Sequence, residues 1–186
     1  LNSFSLPHAS GCSLGKRTIA AHIYALENLG VKIKSTTNEY QISAKKLKTS
    51  TIVMYESGDT ACENIITACA LIEGETQINF ASANYMVQEV CFFLESLGVK
   101  IDGIGTSSLT IHGIKEINKN IEYWNSEDPI ESMMFISACI VTDGRLTITR
   151  CPIDFLSLEL EKLKRMNLKF KILKRYLSYN KRTKLA

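Results

Sequence analysis

The stretches ALENLGVKI (residues 25–33) and FLESLGVKI (93–101) share seven of their nine residues. A weaker third copy, KLKRMNLKF, covers residues 162–170. A second element recurs as well, since TACALIEGETQI (67–78) is similar to SACIVTDGRLTI (137–148). Self-similarity at this spacing is typical of one supersecondary unit that is used several times.

The middle copy shows which elements make up the unit. Apolar periodicity and turn residues predict a strand over 51–55, a buried helix over 62–72, a strand over 76–81, an amphipathic helix over 85–97, and two strands at 99–101 and 108–111. Glycines at 74 and 98 follow the two helices, as helix C-termini prefer. The predicted unit is therefore β-α-β-α-β-β.

The remaining chain fits further copies of this unit. Residues 17–42 predict a helix (17–29) and two strands (31–34 and 39–42) from an earlier copy, and residues 120–180 predict a third copy. The segment 115–119 separates them, so we expect one domain over 1–116 and another over 117–186. Each unit contains a very apolar helix that has to pack against other units. We therefore expect partner units to be missing from this chain, and self-association to cover the exposed helix faces.

Composition narrows the class of protein. The 186 residues are 45% hydrophobic and 22% charged, with a net charge of +3. No apolar run reaches the ~18 residues of a membrane span, so no membrane partner is expected. The chain starts at Leu1 without a signal segment, and none of the six cysteines forms a C-x-x-C pair. These features favour the cytoplasm, a fragment or processed piece of a longer protein, and no zinc site.

The basic residues are concentrated at the end of the chain. They are Lys162, Lys164, Arg165, Lys169, Lys171, Lys174, Arg175, Lys181, Arg182 and Lys184. This end is either an electrostatic footprint for an anion or a solvated face with a loose terminus. Without an aromatic-interleaved basic strand, a nucleic-acid partner is not favoured.

Cys12 differs from the cysteines in apolar helical runs, Cys69 and Cys139, which are predicted to be core residues. It lies in LPHASGCSLGKR (6–17), among small residues and close to Lys16 and Arg17. A loop thiol beside cations and a helix start has the surroundings that lower a thiol pKa. Cys12 is therefore either a reactive group or an inert loop cysteine.

Several motifs together resemble one family. Four stretches occur in the order found in the UDP-N-acetylglucosamine enolpyruvyl transferases. They are SLPHASGC-SLGKR, the helix ending ALENLGVKI, ENIITACALIEGETQI and ESLGVKIDGIGTSSLTIHGI. The related 5-enolpyruvylshikimate-3-phosphate synthases share the fold but lack the cysteine loop. The resemblance covers residues 3–173 and the middle of a family member. It implies an inside-out α/β barrel of repeated β-α-β-α-β-β units, incomplete in this chain. Residues 1–116 would be the later half of the catalytic domain, and 117–186 the first unit of the second domain.

The resemblance also implies an activity, namely transfer of enolpyruvyl from phosphoenolpyruvate to the 3-hydroxyl of UDP-N-acetylglucosamine, the first committed step of peptidoglycan precursor synthesis. Cys12 aligns with the general acid, and Arg17 aligns with an arginine that grips the anionic substrate. The implied substrate-binding residues are Arg17, Thr18, Ile19, Ala20, Ala21, His22, Ser57, Gly58, Asp59 and Thr60. No metal and no cofactor is implied. Because other family residues of the site are absent, this chain alone is expected to be inactive.

The chain departs from the family pattern at several positions. Ala20 replaces a carboxylate, Asp59 adds a charge to the turn that would hold a diphosphate, and Pro129 replaces an arginine. The cysteine loop also carries two extra residues. A non-catalytic or divergent paralogue with a degraded nucleotide site is therefore the alternative.

Overall fold

The computed structural model describes residues 3–8 and 18–186, which form two compact units. The first unit extends to Ile121, and the second is Glu122–Ala186. Within its described residues the first unit contains two sheets and three helices, whereas the second unit contains two helices and a short two-stranded ribbon.

The middle repeat unit forms a four-stranded sheet with two helices. Its elements are β4 (Thr51–Val53), α2 (Asp59–Cys69), β5 (Gly74–Asn79), α3 (Tyr85–Leu97), β6 (Lys100–Asp102) and β7 (Ser108–Gly113). The strand order is β4-β5-β7-β6, with β4 and β5 parallel and the other pairs antiparallel. The predicted β-α-β-α-β-β order is confirmed for this copy.

The preceding partial copy forms a three-stranded sheet. It contains β1 (Ser3–Pro7), α1 (Ala20–Asn28), β2 (Lys32–Ser35) and β3 (Glu39–Ser43), in the strand order β1-β3-β2. Strand β1 was not predicted, because the sequence assigned its residues to the cysteine loop. Its register with β3 places Phe4 opposite Ile42 and Leu6 opposite Tyr40, so apolar residues share one face of the sheet.

The core of the first unit lies between the four-stranded sheet and the helices. The strands contribute side chains that alternate with more exposed neighbours and are themselves 0–1% exposed. They are Ile52, Ile78, Leu109 and Ile111. Helix α2 packs between α1 and α3, and its Ile65 is completely buried. The prediction of a buried helix is thus confirmed, although α2 begins at Asp59 and ends at Cys69. The helix begins earlier than predicted because Gly58 adopts an extended backbone and lets the next residue start the first turn.

Helix α3 coincides with its prediction because both of its ends have local signals. The Asn84 side chain accepts a hydrogen bond from the Tyr85 N–H at 2.7 Å. Gly98 has a φ of 104°, a left-handed conformation that ends the helix.

The opposite face of the four-stranded sheet is polar. His112 on β7 contacts the carboxylates of Glu75 (3.3 Å) and Asp102 (2.7 Å), and Lys100 contacts Asp102 at 3.0 Å. The hydrogen bonds from His112 and Lys100 lower the pKa of Asp102. Polar side-chain contacts within and between strands therefore lie on this face, opposite the apolar core.

The second unit contradicts the prediction of a third complete copy. It contains α4 (Pro129–Val141), α5 (Ser157–Arg165), β8 (Tyr176–Leu177) and β9 (Lys184–Leu185). The repeat counterpart of β5, residues 144–149, is not a strand. In the middle copy, β5 pairs with β4 and β7, but residues 122–186 offer no such neighbours. Without such neighbouring strands, a strand at residues 144–149 would have unpaired backbone groups and an uncovered apolar face.

Helix α4 is apolar but exposed. Ile130, Met134 and Phe135 are 62%, 57% and 46% exposed. Cys139, which was predicted to be a core residue, is only half-buried, whereas Cys69 is 1% exposed as expected. The buried apolar cluster of this unit consists of Cys151, Ile153 and Leu156. An apolar helix in an incomplete set of repeats is thus left uncovered, as the repeat pattern indicates.

A polar network anchors the end of the second unit instead. Glu127 pairs with Arg150 and accepts a hydrogen bond from the Ser178 hydroxyl at 2.7 Å. The Asn180 amide donates to Ser126 at 2.7 Å. These contacts attach the β8–β9 ribbon to residues 126–127.

Among the described residues, none of the helices combines the length and the apolar character that crossing a membrane requires.

Candidate functional site

The predicted site residues fall into three groups. Cys12 and Arg17 lie outside the described residues. Thr18, Ile19, Ala20, Ala21 and His22 form the start of α1, and Ser57, Gly58, Asp59 and Thr60 form the start of α2. Because α1 packs against α2, the structure brings the second and third groups onto neighbouring helices.

The start of α1 has a local polar contact and an apolar contact face. The Thr18 hydroxyl accepts a hydrogen bond from the Ala20 N–H at 3.1 Å. Ala21 is 3% exposed and packs into the core, while Ala20 is exposed. The methyl group of Ala20 leaves this exposed position without the carboxylate that the family pattern has there.

A side-chain contact joins the two helices one turn from their starts. His22 Nδ1 lies 2.8 Å from Asn64 Nδ2. With the amide nitrogen as donor, Nδ1 is the acceptor and the imidazole proton lies on Nε2. Asn64 thereby selects the His22 tautomer. The sequence did not indicate Asn64, because only the packing of α1 on α2 brings it to His22.

The start of α2 has an open backbone. Gly58 is the N-cap residue, with φ −80° and ψ 131°, and it has no side chain that could accept a hydrogen bond from the first turn. An added Cβ there would lie 3.1 Å from Glu56 Oε1. N–H groups at such a helix start favour an anion, while the nearby Glu56 carboxylate opposes one.

The Asp59 carboxylate is held by the loop between β5 and α3. Its Oδ1 accepts from the Ser82 hydroxyl at 2.5 Å, and its Oδ2 accepts from the Asn84 side-chain amide at 2.8 Å. A negative charge in the first turn of a helix is favourable. Two directional hydrogen bonds thus fix the orientation of the charge that the sequence identified as an obstacle to a diphosphate.

Ser82 and Asn84 link the starts of α2 and α3. The Ser82 hydroxyl also accepts from the Asn84 N–H at 3.1 Å, and the Ser82 N–H donates to the Cys62 sulfur at 3.2 Å. Asn84 therefore acts as N-cap and as Asp59 partner at once. Its position before an amphipathic helix is a sequence signal for a cap, but its contact with Asp59 could not be inferred from the sequence.

A double-mutant cycle tests this link. Asp59→Asn and Asn84→Ala are each expected to lower the free energy of unfolding by about 1 kcal/mol, since hydrogen bonds to charged groups contribute about 1.5–3 kcal/mol and these are partly solvated. The double variant should lose less than the sum, with a coupling of about 1 kcal/mol in chemical denaturation. The exposed residues Glu116 and Asn118 provide the control, and the changes Glu116→Gln and Asn118→Ala should have additive effects. Additivity at Asp59 and Asn84 would contradict the link.

Two further features bear on the chemistry. In the described ranges, no group of three His, Cys, Asp or Glu side chains is arranged to hold a metal ion. An open groove of about 790 Å³ lies on the β1-β3-β2 sheet, lined by residues that include Phe4, Glu27, Ile33, Lys34 and Ile42. Of the predicted site residues that the structure describes, 18–22 and 57–60, none lines this groove.

The family model and the similar proteins found by comparison are all carboxyvinyltransferases. The family model for EPSP synthase (3-phosphoshikimate 1-carboxyvinyltransferase) matches residues 8–182. UDP-N-acetylglucosamine 1-carboxyvinyltransferase of Treponema denticola is 38% identical over 144 residues, 77% of this chain and 33% of the relative. The enzyme of the same name from Campylobacter hominis is 36% identical over 169 residues, 90% of this chain and 40% of the relative. The chain therefore spans between a third and two fifths of these relatives.

Solved structures show a similar fold. The enolpyruvyl transferase NikO from Streptomyces tendae superposes with a TM-score of 0.72 at 18% identity, covering 92% of this chain and 42% of NikO. EPSP synthase from Acinetobacter baumannii superposes with a TM-score of 0.70 at 18% identity, covering 98% of this chain and 41% of that chain. At this identity the likeness concerns the fold alone.

Proposed function

Because this chain belongs to the enolpyruvyl transferase family that the EPSP synthase model describes, we propose that it is the cysteine-loop part of a UDP-N-acetylglucosamine 1-carboxyvinyltransferase. The reaction moves enolpyruvyl from phosphoenolpyruvate to the sugar 3-hydroxyl and releases phosphate, as the first committed step of peptidoglycan precursor synthesis in the cytoplasm. The observation that carries the proposal is the 34–38% identity to relatives of that name over most of this chain.

In this proposal Cys12 supplies the proton. Protonation of the methylene carbon of phosphoenolpyruvate makes C2 electrophilic, and the sugar hydroxyl adds to C2 as a base accepts its proton. Loss of phosphate from C2 and of a proton from the new methyl group then restores the double bond. Arg17 binds an anionic group of the substrate through its planar, permanently charged guanidinium group. Thr18, His22 and the backbone around Gly58 would face the nucleotide sugar. The arrangement of His22 with Asn64 supports this role, because a fixed tautomer presents a defined donor.

The proposed domain boundary lies near the boundary of the two compact units at Ile121. Residues 1–116 would form the later half of the catalytic domain, and 117–186 would hold the position of the first repeat of the second domain without its complete set of strands. The missing repeats would complete the substrate site and cover α4. Association between copies is the other way to cover that helix.

The alternative is a non-catalytic paralogue on the same scaffold. Two observations favour it, namely the exposed Ala20 methyl in place of a carboxylate and the Glu56 carboxylate next to Gly58. Both lower the affinity expected for a nucleotide diphosphate. The two functions differ in whether the Cys12 thiol reacts in the presence of UDP-N-acetylglucosamine.

Alkylation by fosfomycin, an epoxide to which the family cysteine reacts, separates them. In the full-length protein that contains this chain, with UDP-N-acetylglucosamine present, we expect an adduct on Cys12, located by peptide mass spectrometry and absent from Cys12→Ser. No adduct on Cys12 under these conditions would favour the paralogue.

The other thiols provide the background for this measurement. Burial raises the pKa of Cys69 to about 11 and of Cys91 to about 12, and it also raises the pKa of Cys62 and Cys151. Since the thiolate is the nucleophile, these four should stay unmodified at neutral pH. The half-buried Cys139 is the internal comparison, because general alkylation would modify it together with Cys12.

A further inference from the structure

Residues 162–177, here called the basic segment, run from the second half of α5 to β8. They contain seven Lys or Arg residues and no acidic residue. All seven basic side chains are exposed. Arg165 lies 3.6 Å from Glu161, and in the described part of the chain the other six form no ion pair. The segment therefore presents a charge that the protein itself does not neutralise.

The repeat shows that this charge is not a requirement of the fold. The equivalent residues of the first copy, 25–40, contain two basic and two acidic residues. Those of the second copy, 93–108, contain one basic and two acidic residues. Both copies form their helix and strands with a charge near zero or below it. The positive charge of the third copy is thus an addition to the unit.

Apolar side chains are exposed among these cations. Met166 is 76% exposed, Leu173 60%, Leu177 54% and Ile172 42%. Two aromatic residues, Phe170 and Tyr176, are 38% and 44% exposed. Between α5 and β8, residues 168–175 form no regular element, so these side chains are not sequestered on the inner face of a helix or sheet.

We propose that the basic segment binds the surface of an anionic phospholipid membrane. A membrane interface takes cations at the level of the phosphates and aliphatic side chains at the acyl boundary. A single-stranded nucleic acid would use the cations and the two aromatic rings, but it would leave four exposed aliphatic side chains in water. The absence of a membrane-spanning run, from which the sequence predicted no membrane partner, concerns insertion and not this peripheral contact.

Flotation of the chain with lipid vesicles tests the proposal. We expect the chain to float with phosphatidylcholine vesicles containing one third phosphatidylglycerol, not with pure phosphatidylcholine, and less at high salt. Replacing four cations should lower the partition coefficient by about 100-fold to 1,000-fold, since each basic residue near an anionic surface contributes about 1 kcal/mol. The changes are Lys169→Gln, Lys171→Gln, Lys174→Gln and Arg175→Gln.

Matched variants distinguish the partners. Four exposed lysines of the first unit, changed as Lys32→Gln, Lys34→Gln, Lys45→Gln and Lys46→Gln, remove the same charge and should leave flotation unchanged. The double variant Ile172→Ser and Leu173→Ser should lower flotation several-fold without weakening the binding of a single-stranded RNA oligomer. Circular dichroism of each variant checks folding.

Three results would overturn the proposal. They are equal flotation with both vesicles, an equal loss in the first-unit lysine variant, and tighter binding to the RNA oligomer that is insensitive to the Ile172 and Leu173 changes. The last result would assign the segment to nucleic acid. Because neither vesicles nor RNA involve Cys12, the outcome does not depend on the enolpyruvyl transfer proposed above.

Discussion

Gly113→Ala is expected to destabilise the first unit by about 3 kcal/mol or more, the upper part of the range for inserting an atom into packed structure. Gly113 ends β7 beneath the C-terminus of α2, where the Ile114 N–H donates to the Ala70 carbonyl at 2.9 Å. An added Cβ would lie 2.0 Å from the Ile72 carbonyl oxygen and 2.5 Å from that of Cys69.

These obstacles are backbone atoms that cannot move independently. The Cys69 carbonyl accepts from the Ile72 N–H at 3.0 Å, so moving either one disrupts the turn after α2. The thermal midpoint should fall by about 10 °C or more. Hydrogen exchange should increase in peptides from α2 and β7.

Gly144→Ala is the matched control. Its added Cβ would approach the Thr142 hydroxyl at 3.2 Å and other atoms at 3.7 Å or more. A shift of a few tenths of an ångström in this side chain relieves the contact, so we expect a change of under about 0.5 kcal/mol. A Gly113→Ala protein with the original midpoint would show that the α2–β7 contact is looser than described.

The fold of the first unit was predictable because local and repeated signals agree there. Apolar alternation in β5 and β7, the Asn84 cap and Gly98 all indicate the same element bounds. Strand β1 lacked such a signal, since only its pairing with β3 makes it a strand. The third copy has a repeat-like sequence, but strands depend on partners at a distance, and residues 122–186 do not supply them.

The candidate site was predictable only in part, for a similar reason. Resemblance located the starts of α1 and α2, which are continuous in sequence. It did not locate Asn64, Ser82 or Asn84, whose roles depend on contacts between separate elements. The charge of Asp59 was visible in the sequence, but the direction in which its carboxylate is held was not.

The two copies of the apolar helix offer the most direct comparison between sequence and context. At the repeat offset of 70, Ile65 of α2 corresponds to Phe135 of α4. Ile65 is completely buried, whereas Phe135 is 46% exposed. Equivalent positions of one repeat therefore have different packing, and truncating them should have different costs.

Ile65→Ala is expected to lower the free energy of unfolding by about 3 kcal/mol, from lost apolar burial and the cavity that remains. Phe135→Ala removes a larger side chain but should cost about 1 kcal/mol or less, because its ring already contacts solvent. Chemical denaturation, together with hydrogen exchange measured separately in α2 and α4, would give the loss of unfolding free energy for both variants. A large loss for Phe135→Ala would mean that α4 is covered in solution, either by a second copy or by another part of the protein. If a second copy covers α4, the denaturation midpoint of the protein should also depend on protein concentration.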